Sequence, residues 1–305
     1  MSDKNGSIHV SKVPTIELLS TPHWKDYELL DSGNSLKLER FGPYRFSRPE
    51  HQAVWKPTLS IKEWEDVDAV FQPTSDESGG KWLYKRQFEP QWEMHYKDLI
   101  FMARTSNSRH LGVFPEQATH WDWIREHISA HSKPVNVLNL FGYTGISSLA
   151  AAKAGANVTH LDASKKMIQY ARENQLRSGL SEKPIRWIID DAVKFVMRES
   201  RRGVHYEGII LDPPKFGRGP KGEVWEFFKM LPYLLQEIKP VLGSRPLFLV
   251  ITAYAIRASA LSLHYTIQEM MSSFRGTLSS GELVINEKSA GRILSMAITT
   301  RWSSL

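Results

Sequence analysis

The sequence predicts an α/β protein: a Rossmann-like, doubly wound sheet of seven strands with an antiparallel edge strand, preceded by a small β-rich domain. Three observations carry this. From residue 134 onward, short apolar strands alternate with Ala-rich or amphipathic helices, the pattern of a parallel sheet covered on both faces. Before that point, aromatic-rich stretches are cut into hairpins by turn residues. The length of 305 residues, at about 100–200 per domain, suits two such units. Residues 1–20 read as a flexible arm, 21–112 as the β-rich domain and 113–305 as the α/β domain.

In the first domain, 36–41 and 44–46 flank Gly42-Pro43 as one hairpin, and 92–96 and 99–103 flank Lys97-Asp98 as another. Residues 74–80 form a loop, and Trp24, Trp55, Trp64, Trp82 and Trp92 are mostly core. Pro115 suits a helix N1 position, and Trp121, Ile124 and Ile128 follow on one helix face. Strands are then expected at 135–140, 158–161, 185–189, 208–211 and 246–252, with helices at 147–156, 165–178 and 193–201. A helix over 258–273 precedes two last strands, 282–286 and 293–300, one of them antiparallel.

Composition excludes several chemistries. There is no cysteine, hence no disulfide, no Cys-ligated metal and no thiol nucleophile. The 11 histidines lack metal-ligand spacing, so no metal site is expected. No apolar run approaches the ~18 residues of a membrane span, and residues 1–12 lack the pattern of a targeting peptide; the expected location is the cytoplasm. Residues 1–120 hold 15 Lys+Arg and 17 Asp+Glu, whereas the rest hold 24 and 16, so the net +6 resides in the second part. A basic domain is compatible with a polyanionic substrate.

In doubly wound sheets, ligands bind beyond the carboxyl ends of the strands. After the first α/β strand stands Asn139-Leu-Phe-Gly-Tyr-Thr-Gly145, a tight turn leading into a helix whose first N–H groups are free. After the second stands Asp162, placed to accept from a ribose diol; after the third, Asp190-Asp191-Ala192, placed to read an adenine edge. Each Asp could instead cap the following helix, but recurrence after successive strands favours a ligand site. The fourth strand ends in Asp212-Pro-Pro-Lys-Phe216. Two prolines make that turn rigid, and the carboxylate with a proline carbonyl makes an acceptor-rich wall.

These motifs, with His110-Leu-Gly-Val-Phe-Pro-Glu-Gln117, resemble the class I S-adenosylmethionine-dependent methyltransferases. Within them they resemble the bacterial large-subunit ribosomal RNA methyltransferase family of cytosine-C5 and guanine-N7 type, over about residues 95–305. The resemblance implies that residues 113–305 form the methyltransferase domain and that S-adenosyl-L-methionine is the cofactor. It implies cofactor contacts from Phe114, Gln117, Asn139, Phe141, Gly142, Tyr143, Thr144, Gly145, Asp162, Ala163, Ser164, Asp190, Asp191, Ala192 and Asp212. It places Asp212, Pro213, Pro214, Lys215 and Phe216 beside the methyl group and the incoming base. Family members that make 5-methylcytosine need a cysteine after the fifth strand; here that place reads Thr252-Ala-Tyr-Ala-Ile256. Transfer to a heteroatom remains, guanine N7 or an amine, without a covalent enzyme–base adduct. The glycine-rich stretch 216–222 is expected to be a mobile loop that grips RNA phosphate through Lys215, Arg218 and Lys221. Tyr143, Phe216 and Tyr254 are candidate stacking surfaces for a splayed base. Other readings are a methyltransferase on protein or a small molecule, and a non-catalytic RNA-binding assembly factor.

Overall fold

The structure, a computed structural model, describes residues 13–74 and 79–305; the first 12 residues of the expected arm and positions 75–78 of the expected loop lie outside the described residues. Strand β1 (Ile16–Ser20) comes first, followed by β2 (Tyr27–Gly33), β3 (Leu36–Phe41), β4 (Tyr44–Pro49), helix α1 (Ile61–Glu65), β5 (Ala69–Pro73) and β6 (Gly80–Tyr84). Strands β2 to β6 make a five-stranded sheet in chain order, antiparallel except for β4 against β5. Phe41, Phe46, Phe71, Trp82 and Trp92 pack edge-to-face and stacked beneath it. Trp55 and Trp64 are half-buried and donate to Ser32 and Asp31.

A second hairpin, β7 (Gln91–Tyr96) and β8 (Leu99–Arg104), turns at Lys97 and leads through a 3₁₀ turn at Pro115–Gln117 into α2 (Ala118–Ala130). The α/β alternation then runs β9 (Asn136–Leu140), α3 (Ile146–Lys153), β10 (Asn157–Asp162), α4 (Lys165–Arg177), β11 (Ile185–Ile189), α5 (Ala192–Arg201) and β12 (Gly208–Leu211). A small hairpin, β13 (Phe216–Arg218) and β14 (Val224–Glu226), precedes α6 (Phe227–Ile238), β15 (Phe248–Ala253), α7 (Ala260–Met270), β16 (Thr277–Asn286) and β17 (Ile293–Ser303).

The main sheet has the order β1-β16-β17-β15-β12-β9-β10-β11. Its central strands are apolar on both sides, and their alternation sorts the core. Leu138, Leu140, Ile209, Leu211, Leu249 and Ile251 face α5, α6 and α7. Val137, Ile210, Phe248 and Val250 face α2 and α3, where Ile124 and Ile128 are buried as the helical spacing predicts.

Two details differ from the sequence reading. The sheet has an eighth strand: residues 16–20, read as the end of a flexible arm, form β1, which pairs in parallel with β16. The approach is so close that a Cβ on Gly281 would stand 2.0 Å from the Glu17 carbonyl oxygen, so glycine is required there. Separately, the antiparallel strand, β17, lies between β15 and β16 instead of at the edge.

The two sheets are joined by polar seams. Ser178 Oγ donates to Ile100 O and accepts from Ile100 N, and Asn174 Oδ1 accepts from Met102 N, fixing β8 on α4. At the turn between β16 and β17, Arg292 bridges the fully buried carboxylates of Asp31 and Glu287 at 3.2 and 2.7 Å. The Ser289 hydroxyl lies within hydrogen-bond distance of both carboxylates, with one hydrogen to give.

Candidate active site

The carboxyl ends of β9, β10, β11, β12 and β15 gather the residues singled out from sequence along one rim of the main sheet. The turn after β9 is held in sterically costly backbone: Phe141, Tyr143 and Gly145 have φ of 60°, 51° and 86°, and the left-handed region costs a side-chain-bearing residue about 1–3 kcal/mol. Three bonds maintain it. Gly142 N donates to Leu161 O at 3.0 Å, Tyr143 N to Asp162 Oδ2 at 2.9 Å, and Thr144 Oγ1 to Gly112 O at 2.7 Å. Asp162 also accepts from Ser164 N at 2.8 Å. Burial raises its carboxyl above the usual range despite these two bonds, and each oxygen keeps a lone pair for a further donor. Ala163 links it to Ser164.

Beneath the turn lies a buried relay that sequence reasoning missed. Asn139 Nδ2 donates to Ser148 Oγ at 2.9 Å, and Ser148 Oγ shares a second hydrogen bond with His160 Nδ1, also at 2.9 Å. Burial pushes the imidazole down to about 3, keeping it neutral. Its ring sits so close under Gly142 that a Cβ there would stand 2.3 Å from Cε1. Asn139 therefore faces inward to Ser148 and braces the turn.

The capping alternative separates the three acidic positions. Ser164, not Asp162, caps α4, which leaves Asp162 for the turn. Asp191 does cap α5, accepting from Lys194 N, and Asp190 is bonded to Arg198 and to Asp191 N. Ala192 is the first residue of α5.

At the end of β12, Asp212 Oδ2 accepts from Gln117 Nε2 at 3.1 Å, and the same amide donates to Tyr254 Oη at 3.0 Å. Asp212 Oδ1 is buried and has no partner among the described residues. Burial first, and the Glu116 carboxylate second, push Asp212 up to about 8. A small cavity of about 20 Å³ opens here between Gln117, His120, Asn139, Gly142, Asp212 and Thr252. The ring of Phe114 stands 5.4 Å from Tyr143 and 5.1 Å from Tyr254. Pro213 is buried and Pro214 exposed. The Pro214 carbonyl accepts from Trp225 Nε1 at 2.6 Å, so it is engaged within the fold and leaves Asp212 as the acceptor of that wall. Trp225, packed 4.9 Å from Phe141, is a second residue the sequence reading passed over.

The stretch 216–222, expected to be a mobile loop, is instead the start of the β13–β14 hairpin. Buried Trp225 anchors it, and Glu223, held well below the usual carboxylate range by Lys194 and by backbone donors, ties it to α5 through a 2.6 Å ion pair. Phe216 pairs with Glu226 and Arg218 with Val224. Opposed residues share a face of an antiparallel pair, so Phe216, Arg218 and Val224 lie together on the face opposite Trp225. All three are exposed, as are Lys215 and Lys221.

The chain resembles known proteins over most of its length. The description "S-adenosylmethionine-dependent methyltransferase" matches residues 66–272. A solved S-adenosylmethionine-dependent methyltransferase from Agrobacterium tumefaciens is 47% identical, with a TM-score of 0.91, covering 96% of this chain and 95% of that one. Ribosomal RNA large subunit methyltransferase I of Shewanella denitrificans is 39% identical over 85 residues, 28% of this chain and 21% of its own. The protein of the same name from Aeromonas hydrophila is 32% identical over 161 residues, 52% of this chain and 40% of its own. The chain thus spans well under half the length of these two curated relatives.

Proposed function

The chain belongs to the S-adenosylmethionine-dependent methyltransferase family, and from that premise we propose that it methylates a heteroatom of a base in structured RNA, ribosomal RNA foremost. Its cofactor, S-adenosylmethionine, supplies a methyl group already activated by the sulfonium, so the protein's task is alignment. The residues present suit that group. The strained turn exposes its backbone at the rim, Asp162 retains acceptor capacity for ribose hydroxyls, and the cavity behind the turn ends on an unpartnered carboxylate oxygen.

In this reading Asn139 to Gly145 line the methionine part, Asp162 to Ser164 the ribose, and Asp190 to Ala192 the adenine. Phe114 and Gln117 close the pocket. Asp212, Pro213, Pro214, Lys215 and Phe216 border the methyl group and the incoming base. The observation that carries the reading is Asp212 Oδ1: a buried lone pair with no partner among the described residues, opening on the cavity the cofactor turn also lines. It can accept a hydrogen from an exocyclic amine, or hold a base whose ring nitrogen attacks directly. Without cysteine, no thiolate adds to a pyrimidine ring.

RNA is favoured over other acceptors by the curated relatives' names and by the exposed Lys215, Arg218 and Lys221 beside Phe216, cations and an aromatic next to Asp212. The test is transfer of tritiated methyl groups from S-adenosylmethionine into total RNA of a strain lacking the gene, against its protein and metabolite fractions, with the product nucleotide mapped by mass spectrometry. Label in RNA is expected, and Asp212→Ala should abolish it while leaving cofactor affinity within about tenfold. Label confined to protein or metabolites would overturn the RNA assignment.

A further inference from the structure

We propose that Tyr254 is a positioning residue for methyl transfer: anchored on Glu116, its hydroxyl holds the Gln117 amide so that Asp212 keeps one oxygen bound and the other free. The inference rests on the role given to Asp212 above.

Hydrogen-bond directions carry it. The Gln117 amide turns its nitrogen to Asp212, whose ionised form, reached as pH rises through about 8, only accepts. That nitrogen uses one hydrogen on Asp212 Oδ2 and the other on Tyr254 Oη. The hydroxyl is then left to send its own hydrogen elsewhere, and the buried carboxylate of Glu116 is the neighbouring anion that acts on it. Glu116 is buried, and among the described residues no Lys, Arg or His lies within ion-pair distance of it. Lys37 and Arg48, from the N-terminal sheet, act on it only at longer range; their ion pairs are with Glu39 and Glu50. Tyr254 is thus a short-range stabiliser of the Glu116 anion and the acceptor that fixes Gln117.

The backbone supports the same assignment. Tyr254 directly follows β15, and the next residue, Ala255, has φ of 51°. Such strain outside glycine persists where surrounding contacts impose it. Phe114 packs 5.1 Å from the Tyr254 ring and limits its swing. Removing the hydroxyl frees one Gln117 hydrogen, which Asp212 Oδ1, buried without a partner among the described residues, can then accept, so the free oxygen would be lost to an internal contact.

The test uses Tyr254→Phe, Glu116→Gln and the double variant in the full chain. Each single change should slow methyl transfer into RNA about 10- to 100-fold, with S-adenosylmethionine affinity by calorimetry within about threefold. Tyr254→Phe and Glu116→Gln act along one path, so the double variant should be no slower than the slower single one. The readout independent of any acceptor is the pH at which Asp212 titrates, taken from the stability difference between each protein and its Asp212→Asn counterpart. Both changes weaken the negative charge beside Asp212 and should move that titration to lower pH. If wild-type protein labels no RNA, the RNA reading fails while this titration still decides the positioning role. An unmoved titration in both single variants, or multiplicative rate losses in the double variant, would overturn the proposal. Should Tyr254→Phe fold poorly, Glu116→Gln alone decides by the same titration.

Discussion

Replacing Asp212 by Asn is expected to stabilise the protein while abolishing methyl transfer. Burial and the nearby Glu116 push this carboxyl from the usual 3.8 to about 8. A carboxyl raised in the folded state keeps its proton where the unfolded chain has released it. Its contribution is therefore fully present below about pH 4 and is lost as pH rises through about 8. At pH 7 the unfolded Asp is ionised and the folded one protonated, and the interval from 3.8 to 7 corresponds to about 4 kcal/mol at ~1.36 kcal/mol per pH unit. The residue as a whole is only partly buried, and solvent screening reduces this to about 2–3 kcal/mol. Asn offers Gln117 the same acceptor and carries no charge in either state, so it escapes the cost. Urea denaturation between pH 5 and 9 measures the effect. The stability gap in favour of Asp212→Asn should widen through pH 7 and level off above about pH 8; only its change with pH is diagnostic. A gap that stays flat across this range would refute the buried, raised carboxyl, and an Asn variant that still transfers methyl groups at the wild-type rate would refute its role.

Other perturbations address the remaining parts of the site. Gly142→Ala should drive a methyl group into the His160 ring, costing about 1–3 kcal/mol of stability, with weaker cofactor binding in calorimetry. Asp162→Ala removes the acceptor of Tyr143 N and Ser164 N and should weaken S-adenosylmethionine binding at least about tenfold, a charged hydrogen bond being worth about 1.5–3 kcal/mol. Arg218→Ala with Lys221→Ala should reduce the salt slope of RNA binding by about 0.7 per lost phosphate contact on single-stranded RNA. An unchanged slope in filter binding would remove the hairpin from the RNA interface.

The rim of the site was legible because it needs little more than chain order. Once strands and helices alternate, the residues after each strand must lie at one edge, wherever the loops wander. What stayed hidden depended on partners far away in sequence. Strand β1 is exposed along most of its length and shows no alternating burial pattern; only Gly281, some 260 residues later, reveals its place. Helix α6 contains Pro232, a residue that argues against a helix interior. The hairpin after Phe216 looks like a loose glycine-rich loop until Trp225 and Glu223 are seen to fasten it. Glu116 lies inside the 110–117 motif and Tyr254 reads as a stacking surface, but their approach across 138 positions follows only from the fold.

The seam at Arg292 has a consequence for synthesis. Asp31 finds its basic partner at Arg292, and Glu28, already paired with Arg40, gains Lys288, while β1 finds its neighbour at residues 280–284. A chain emerging from the ribosome at roughly 5–20 residues per second must therefore carry its N-terminal sheet, with no cation on Asp31, until residues 280–292 are made. Folding should be late and concerted, with high contact order and correspondingly slow. The turn between β16 and β17 acts as the closing clasp of the N-terminal sheet.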